Sequence, residues 1–307
     1  SQNLNSSPNR QFVSDVLDIK LPISNDRYIS IVSTNNYNYH PQELSLYSGE
    51  MQRLNYSSFY SNTTASFRHR LWRMYANHQI GFQGMFQSLK STIGDVTSIS
   101  KQRYERYMPY IGTGLQFDNR TIHMEADIKM NLYNWQLEKH SLNRKETEFS
   151  PDARFYLKYS VSATSDLSLN YRYSELLQDL RQVYDGDLFT SYRTIVNNSH
   201  SPEADGTHSL TLRYQYSQPI KGIFFMLSSL GSTTHRHSAY VTTLQPESGI
   251  LVRTKKDADY NSEMYLVNGR FSKSFGWWKS LLGVYGSYMK SFDAQYSGNE
   301  LQDYDMN

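Results

Sequence analysis

Residues 122–134 read IHMEADIKMNLYN. Taken alternately they fall into two sets. Ile122, Met124, Ala126, Ile128, Met130 and Leu132 share one face, and His123, Glu125, Asp127, Lys129, Asn131 and Tyr133 share the other. A helix turns about 100° per residue and would scatter these charges around its circumference; a strand, with a period of two, separates them. The segment therefore reads as a strand with one apolar and one polar face.

The same alternation extends along the chain. Trp72, Met74, Ala76, His78, Ile80, Phe82, Gly84 and Phe86 oppose Tyr75, Asn77, Gln79, Gly81, Gln83 and Gln87. Shorter versions are Phe155/Leu157/Tyr159/Val161, Leu167/Leu169/Tyr171/Tyr173 and Leu210/Leu212/Tyr214/Tyr216. Read this way, about twelve strands are predicted: 10–21, 27–36, 56–69, 73–90, 105–117, 120–136, 153–163, 166–176, 207–217, 221–235, 260–274 and 278–293. Tight turns at Pro22–Asp26, Arg70–Trp72, Asp118–Asn119, Ala163–Ser165, Gln218–Pro219 and Phe275–Trp277 join them in pairs. Long polar loops are expected between pairs, at 37–55, 91–104, 137–152, 177–206 and 236–259. Short turns alternating with long loops suit an antiparallel meander with one compact rim and one elaborated rim.

Composition decides which solvent this sheet meets. Of 307 residues 38% are hydrophobic, but 26 of these are Tyr; exchanging Tyr for the 16 Gly leaves roughly 35% apolar, against about 45–50% in an ordinary globular chain. A soluble sandwich has strands of about 5–6 residues over a shared core. Several strands here exceed the 9–11 residues that cross a bilayer at about 45°. In a barrel the apolar face meets lipid and the polar face a hydrated lumen, so little separate core is required, and every backbone hydrogen bond closes between strands. The predicted fold is all-β, an antiparallel up-and-down transmembrane β-barrel, with 1–307 a single unit. Ile80 and Ile128 should face lipid, and Gln79, Asp127 and Lys129 the lumen. Trp72, Trp277, Trp278, Tyr104, Tyr107 and Tyr110 are placed as interface aromatics. With no Cys and a net charge of +2 without single-sign blocks, the chain has no thiol chemistry and no nucleic-acid footprint.

Two hairpins carry a family resemblance. SSFYSNTTASFRHRLWRMYANHQIGFQGMFQSL (57–89) and LTLRYQYSQPIKGIFFMLSSLG (210–231), the latter with its Y-x-x-P-I-K-x-x-F turn, resemble the barrel of TonB-dependent outer-membrane receptors of the Bacteroidetes type. So does SYRTIVNNSHSPEADGTHSL (191–210), as a loop leading into a descending strand. The resemblance implies a wall segment of a larger, 22-stranded barrel, without the plug domain through which TonB acts. The final GNELQDYDMN (298–307) reads as a polar loop, and the first and last strands should leave unpaired edges. Implied with it are the bacterial outer membrane, its lipid as partner, and uptake of a large polar ligand such as a glycan, peptide or siderophore.

No residues are assigned to catalysis, and no cofactor is expected. G-x-x-x-x-G-K-[ST], G-x-S-x-G and H-E-x-x-H are absent from the sequence. His235 and His237, near Asp257, Asp259 and Glu263, read as solvated loop residues, and no metal site is expected. The candidate lumen-facing ligand residues are Tyr75, Asn77, Gln79, Gln83, His123, Glu125, Asp127, Lys129 and Asn131. Residues 175–187 (ELLQDLRQVYDGD) carry Leu176, Leu177, Leu180 and Val183 at helical spacing, consistent with a short amphipathic helix packing over the barrel mouth. Two other readings stand beside the receptor: a soluble extracellular β-rich binding or adhesion protein, and a self-contained twelve-stranded porin-like channel. A requirement for detergent separates the first of these from a barrel.

Overall fold

The computed structural model describes residues 4–5, 10–45, 51–94, 100–139, 142–191, 193–198, 202–247, 249–277, 279–297 and 300–306. Among these residues sixteen strands join in one sheet. They are β1 (Leu4–Asn5), β2 (Gln11–Ser24), β3 (Arg27–Ser45), β4 (Met51–Leu71), β5 (Met74–Ile93), β6 (Ser100–Asp118), β7 (Ile122–Lys139) and β8 (Leu142–Ser162). There follow β9 (Ser165–Leu177), β10 (Asp187–Ser191), β11 (Thr194–Asn197), β12 (Ala204–Gln218), β13 (Ile223–Gln245), β14 (Ile250–Phe275), β15 (Ser280–Ser297) and β16 (Glu300–Met306). The twelve long strands, β2–β9 and β12–β15, are those that the alternation predicts.

Register shows what the alternation does. One row across the sheet runs Ala65, Ile80, Ile111, Met130, Pro151, and the adjacent row runs Ser66, Gln79, Gly112, Lys129, Asp152. Side chains of neighbouring rows point to opposite faces. The first row leaves Ile80 64% and Ile111 62% exposed, part of an apolar surface of the kind that water does not tolerate and hydrocarbon does. Ile128 shares this face with Ile80 and Ile111, and Gln79, Asp127 and Lys129 lie on the opposite one.

Along β7 the two faces exchange character. From Ile122 to Leu132 the outward positions are apolar; above them come Asn134, Gln136 and Glu138. The inward positions change the other way, from His123, Glu125, Asp127 and Lys129 to the buried Tyr133, Trp135 and Leu137. Ten steps of about 3.4 Å at about 45° tilt give an apolar band about 24 Å tall, close to the ~25 Å of outer-membrane barrels. Beyond it the outward residues are polar and the inward ones pack on protein.

That exchange explains the main correction to the loops. At 37–55, 91–104, 137–152 and 236–259 the chain is mostly strand, because β3, β5, β7 and β13 and their partners continue past the band. Apolar alternation stops at the band edge, but backbone pairing does not. Residues 300–306, expected as loop, form β16 on β15, again a ladder carried by backbone rather than by an apolar face. The remaining long excursion among the described residues is Gln178–Glu203, and it contains a second departure from the meander: β11 pairs with β14 in parallel.

All six tight turns share one rim. Asp118 pairs with His123, Met74 with Phe117, Ile122 with Tyr159 and Tyr216 with Ser165, which carries the rim from Trp72 round to Gln218. Asn119 Oδ1 closes its turn by accepting from Thr121 N at 2.8 Å and Ile122 N at 2.7 Å. Gly222 sits at φ 61°, where an added Cβ would stand 2.8 Å from Ser274 Cβ, so only glycine fits. Trp72 and Trp277 stand 79% and 75% exposed at this rim; Trp278 lies outside the described residues. Of the three tyrosines placed as interface aromatics, only Tyr107 faces outward, its ring 5.3 Å from Phe86 and 6.2 Å from Phe82. Tyr104 and Tyr110 are buried on the inner face, since residues three apart in a strand fall on opposite sides.

Among the described residues no ladder joins β2 to β15 or β16; β2 pairs with β3, and β15 with β14, β16 and, at one position, β13. Both edges carry exposed apolar side chains, Val13, Leu17 and Leu21 on β2 and Leu281, Val284 and Tyr285 on β15. The unpaired edges match the expectation from sequence.

Candidate functional site

The polar inner face holds a strap, Gln178–Asn198, that leaves the top of β9 and folds back into the concavity. It is not the amphipathic helix read from its spacing. After β9 ends at Leu177 there is one 3-10 turn, Leu180–Gln182. Asp179 caps it: its Oδ1 accepts from Arg181 N at 3.0 Å and Gln182 N at 3.2 Å, while Gln182 Oε1 accepts from Asp179 N at 3.0 Å. This reciprocal pair is a capping box. The apolar residues still do what the spacing implies, because Leu177, Leu180, Val183 and Tyr184 are buried against Tyr56, Leu89, Tyr104 and Trp135. Leu176 is the exception and is exposed.

Three inward glutamines on successive strands hold the strap by its backbone. Gln52 of β4 donates to Asp187 O at 2.8 Å and accepts from Phe189 N at 2.9 Å. Gln87 of β5 accepts from Leu180 N at 2.8 Å, its amide donating to Tyr56 Oη at 2.8 Å. Gln102 of β6 donates to Asp185 O at 2.5 Å and accepts from Asp185 N at 3.1 Å. A primary amide offers one donor side and one acceptor side, so it substitutes for a neighbouring strand. Arg106 adds a bond to Leu177 O at 3.2 Å. At the far end β11 joins β14 and Leu251 N donates to Arg193 O at 2.8 Å, while at the near end Lys255 Nζ of β14 donates to Gln178 Oε1 at 2.6 Å. The strap thus ties the β4–β6 wall to β14.

Two cavities flank it. One of about 340 Å³ lies between the strap and β3–β5, lined by Leu44, Leu54, Tyr56, Arg181, Phe189 and Asn198 among others. Here the Arg181 guanidinium lies 4.1 Å from the Tyr56 ring centroid. The other, about 260 Å³, is polar and carries Arg236, Arg253 and Lys255 with Asp205, Asp293 and Tyr260. Burial lowers the pKa of Lys255, with Asp205 and Glu203 opposing. Burial also raises the phenol of Tyr260, with Asp293 adding to it. Both groups lie above the apolar band.

The nine residues proposed from sequence all share the strap's face of the sheet, but they form separate groups lower in the wall. Tyr75, Asn77, Glu125 and Asp127 meet around a cavity of about 180 Å³ near the tight-turn rim. Arg68 stacks there on Tyr75 at 4.4 Å and donates to Gln116 Oε1 at 2.8 Å. His123 lies 3.1 Å from Glu125 and 3.6 Å from Asp118. Gln79 and Lys129 close over Gly112, and Lys129 Nζ stands 5.6 Å from the Tyr110 ring centroid. Gln83 and Asn131 sit higher, the latter buried. Sequence reading missed the upper residues Gln52, Gln87, Gln102, Arg181 and Lys255. The D-x-x-Q at Asp179–Gln182 was the available signal for an ordered turn.

No family model and no curated protein matches the sequence. In fold the chain is similar to solved transporters and receptors. With the copper transporter OprC the TM-score is 0.66 at 9% identity, covering 97% of this chain and 47% of that one. With the ferric citrate transporter FecA it is 0.59 at 9%, covering 96% and 42%. With the ferric yersiniabactin uptake receptor FyuA from Yersinia pestis it is 0.53 at 9%, covering 95% and 48%. The chain spans about half the length of the solved chains it matches, and its sheet resembles the barrels of TonB-dependent receptors.

Proposed function

We propose that this chain forms barrel wall and folded-in extracellular loop of an outer-membrane receptor that imports a large polar ligand under TonB control, with no enzymatic role. The observation that carries the reading is the exchange of faces along β7, above which the inner wall grips the strap instead of lining open water. A loop hydrogen-bonded to the inner wall narrows the passage and sets its own side chains where an entering ligand meets them. The ligand would meet the two cavities beside the strap first, and then the lower wall at Gln79, Gln83, Lys129, Asn131 and the group around Asp127. Tyrosine, arginine and amide side chains there suit a glycan, a peptide or a siderophore. In this reading the plug on which TonB acts is a unit separate from the described wall, and the two quoted hairpins favour the Bacteroidetes type.

Two measurements test it. In intact cells bearing the full protein, a cysteine at Glu138 should react with a membrane-impermeant maleimide, and one at Asp26, on the tight-turn rim, should not. Uptake assayed with panels of ferric siderophores, oligosaccharides and peptides should be lost both on deleting the gene and on collapsing the proton-motive force. Uptake indifferent to that collapse would overturn the receptor reading in favour of passive diffusion. A protein that is monodisperse in water without detergent would overturn the membrane reading.

A further inference from the structure

On the face of the sheet opposite the strap, β13 and β14 do something that a plain ladder does not. Arg236 pairs with Tyr260 and Ser238 with Asp257, so β14 advances three residues while β13 advances two. The extra residue is a bulge, which re-aims side chains locally. His235 and His237, two apart and separated by the inward Arg236, share the outer face. The bulge brings Asp259 against both of them. Asp259 Oδ1 lies 2.9 Å from His235 Nε2 and 3.6 Å from His237 Nδ1, and the two imidazoles stand at 89° with centroids 4.7 Å apart. These residues were read from sequence as loop; they lie in continuous strands, and that regularity is what holds them together.

We propose that His235, His237 and Asp259 bind a borderline divalent cation of the zinc class. Three features argue for it. Zinc–nitrogen and zinc–oxygen bonds of about 2.0–2.1 Å at tetrahedral angles place ligand atoms about 3.3 Å apart, and the two separations to Asp259 Oδ1 bracket that value. All three ligand atoms lie within 4.8 Å of one another, a grouping that no other histidine or carboxylate set forms among the described residues. Finally, His235 Nδ1 is 3.1 Å from Asn261 Oδ1. A proton on Nδ1 donated to that amide leaves the Nε2 lone pair for the metal, the outer hydrogen bond that metal-bound histidines almost always make. Two imidazoles and a carboxylate suit zinc, nickel or copper(II) over calcium or magnesium. The side chains are partly exposed, so water completes the coordination and the ion has an open path.

The place says what the site is for. On the outer face Gly231 pairs with Tyr265, Thr233 with Glu263 and His235 with Asn261, so the cluster stands two outward positions above Tyr265 and one above the row of Phe292 on β15. It is outside the wall, in the headgroup and water layer, and the sheet separates it from the strap and both cavities. The bound cation is a clip across the bulge between β13 and β14, independent of ligand import.

Zinc titration of the full chain in detergent tests this, by calorimetry with calcium and magnesium in excess. One zinc ion should bind per chain, unaffected by the hard cations. H235A, H237A and D259N should each weaken binding at least tenfold, and N261A about tenfold, the low end of the usual cost of losing such an outer partner. H123A and H208A should change nothing. Cobalt(II) should give the visible absorption of a low-coordinate nitrogen and oxygen site in the parent protein and lose it in H235A, a readout that does not depend on comparing affinities. Equal zinc binding by the parent and a His235/His237/Asp259 triple variant would overturn the proposal, as would loss of binding in H123A or H208A.

Discussion

Ile128→Arg places a guanidinium on the outward face of β7, six residues above Ile122 and four below Leu132. At about 3.4 Å per residue and about 45° tilt, that is about 14 Å above the lower edge of the apolar band and about 10 Å below the upper one, within about 2 Å of its middle. Arginine on the lipid face of an outer-membrane barrel costs about 2–4 kcal/mol at the midplane and about 0–1 kcal/mol near the interfaces. Gln136→Arg lies on the same face of the same strand, about 10 Å above Leu132 by the same arithmetic, and should cost no more than about 1 kcal/mol. Asp127→Asn, one residue away on the wet face, should be nearly silent. The assay is reversible urea unfolding of the full chain from phospholipid vesicles, followed by tryptophan fluorescence. A gap of about 2 kcal/mol between Ile128→Arg and Gln136→Arg is roughly thirtyfold in the folding equilibrium, well within reach of the method. Equal costs at 128 and 136 would refute the band, because strand, face and chemistry are held constant and only depth differs. A large cost for Asp127→Asn would refute the assignment of faces.

The strap gives a second outcome: Gln52→Ala or Gln102→Ala leaves a half-buried backbone donor and acceptor unpaired, at about 1 kcal/mol each, the low end for such groups. Hydrogen exchange at the Asp185 and Phe189 amides should therefore accelerate while amides of the apolar band hold. Leu180→Ala should undock the strap more strongly, by about 2–5 kcal/mol, with the same amides reporting. Gly81→Val should cost about 1–3 kcal/mol, because a Cβ there would stand 2.3 Å from the Tyr110 ring. Adding Tyr110→Ala should recover part of that loss, and strict additivity in thermal melts would refute the contact. Lys255 gives a pH dependence of known sign. Burial lowers its folded pKa, so between that value and the ordinary lysine value of about 10.4 the unfolded chain binds more protons and stability rises with pH. The rise should flatten in Lys255→Met, as read by melts between neutrality and about pH 10.

The period-two pattern in IHMEADIKMNLYN was enough to place β7 and the faces of Ile128 and Asp127, because side-chain direction in a strand is a local property of alternation. The same property found all twelve long strands and the shared rim of the tight turns. It ran out where the outside becomes water. Above Leu132 the outward residues turn polar, so β3, β5, β7 and β13 looked finished while their backbones went on pairing. It also ran out wherever a role depends on a distant meeting. Gln52 is an ordinary strand glutamine until the strap arrives, and its partner Asp187 is 135 residues away. His235, His237 and Asp259 are brought together by one extra residue in the β13–β14 ladder, a shift set by how two strands pair and by nothing in either strand alone. Fold and facing were therefore legible in the chain; the strap, its cavities and the histidine cluster were decided by tertiary structure, since each exists only where residues far apart in sequence share a hydrogen bond or a ligand position.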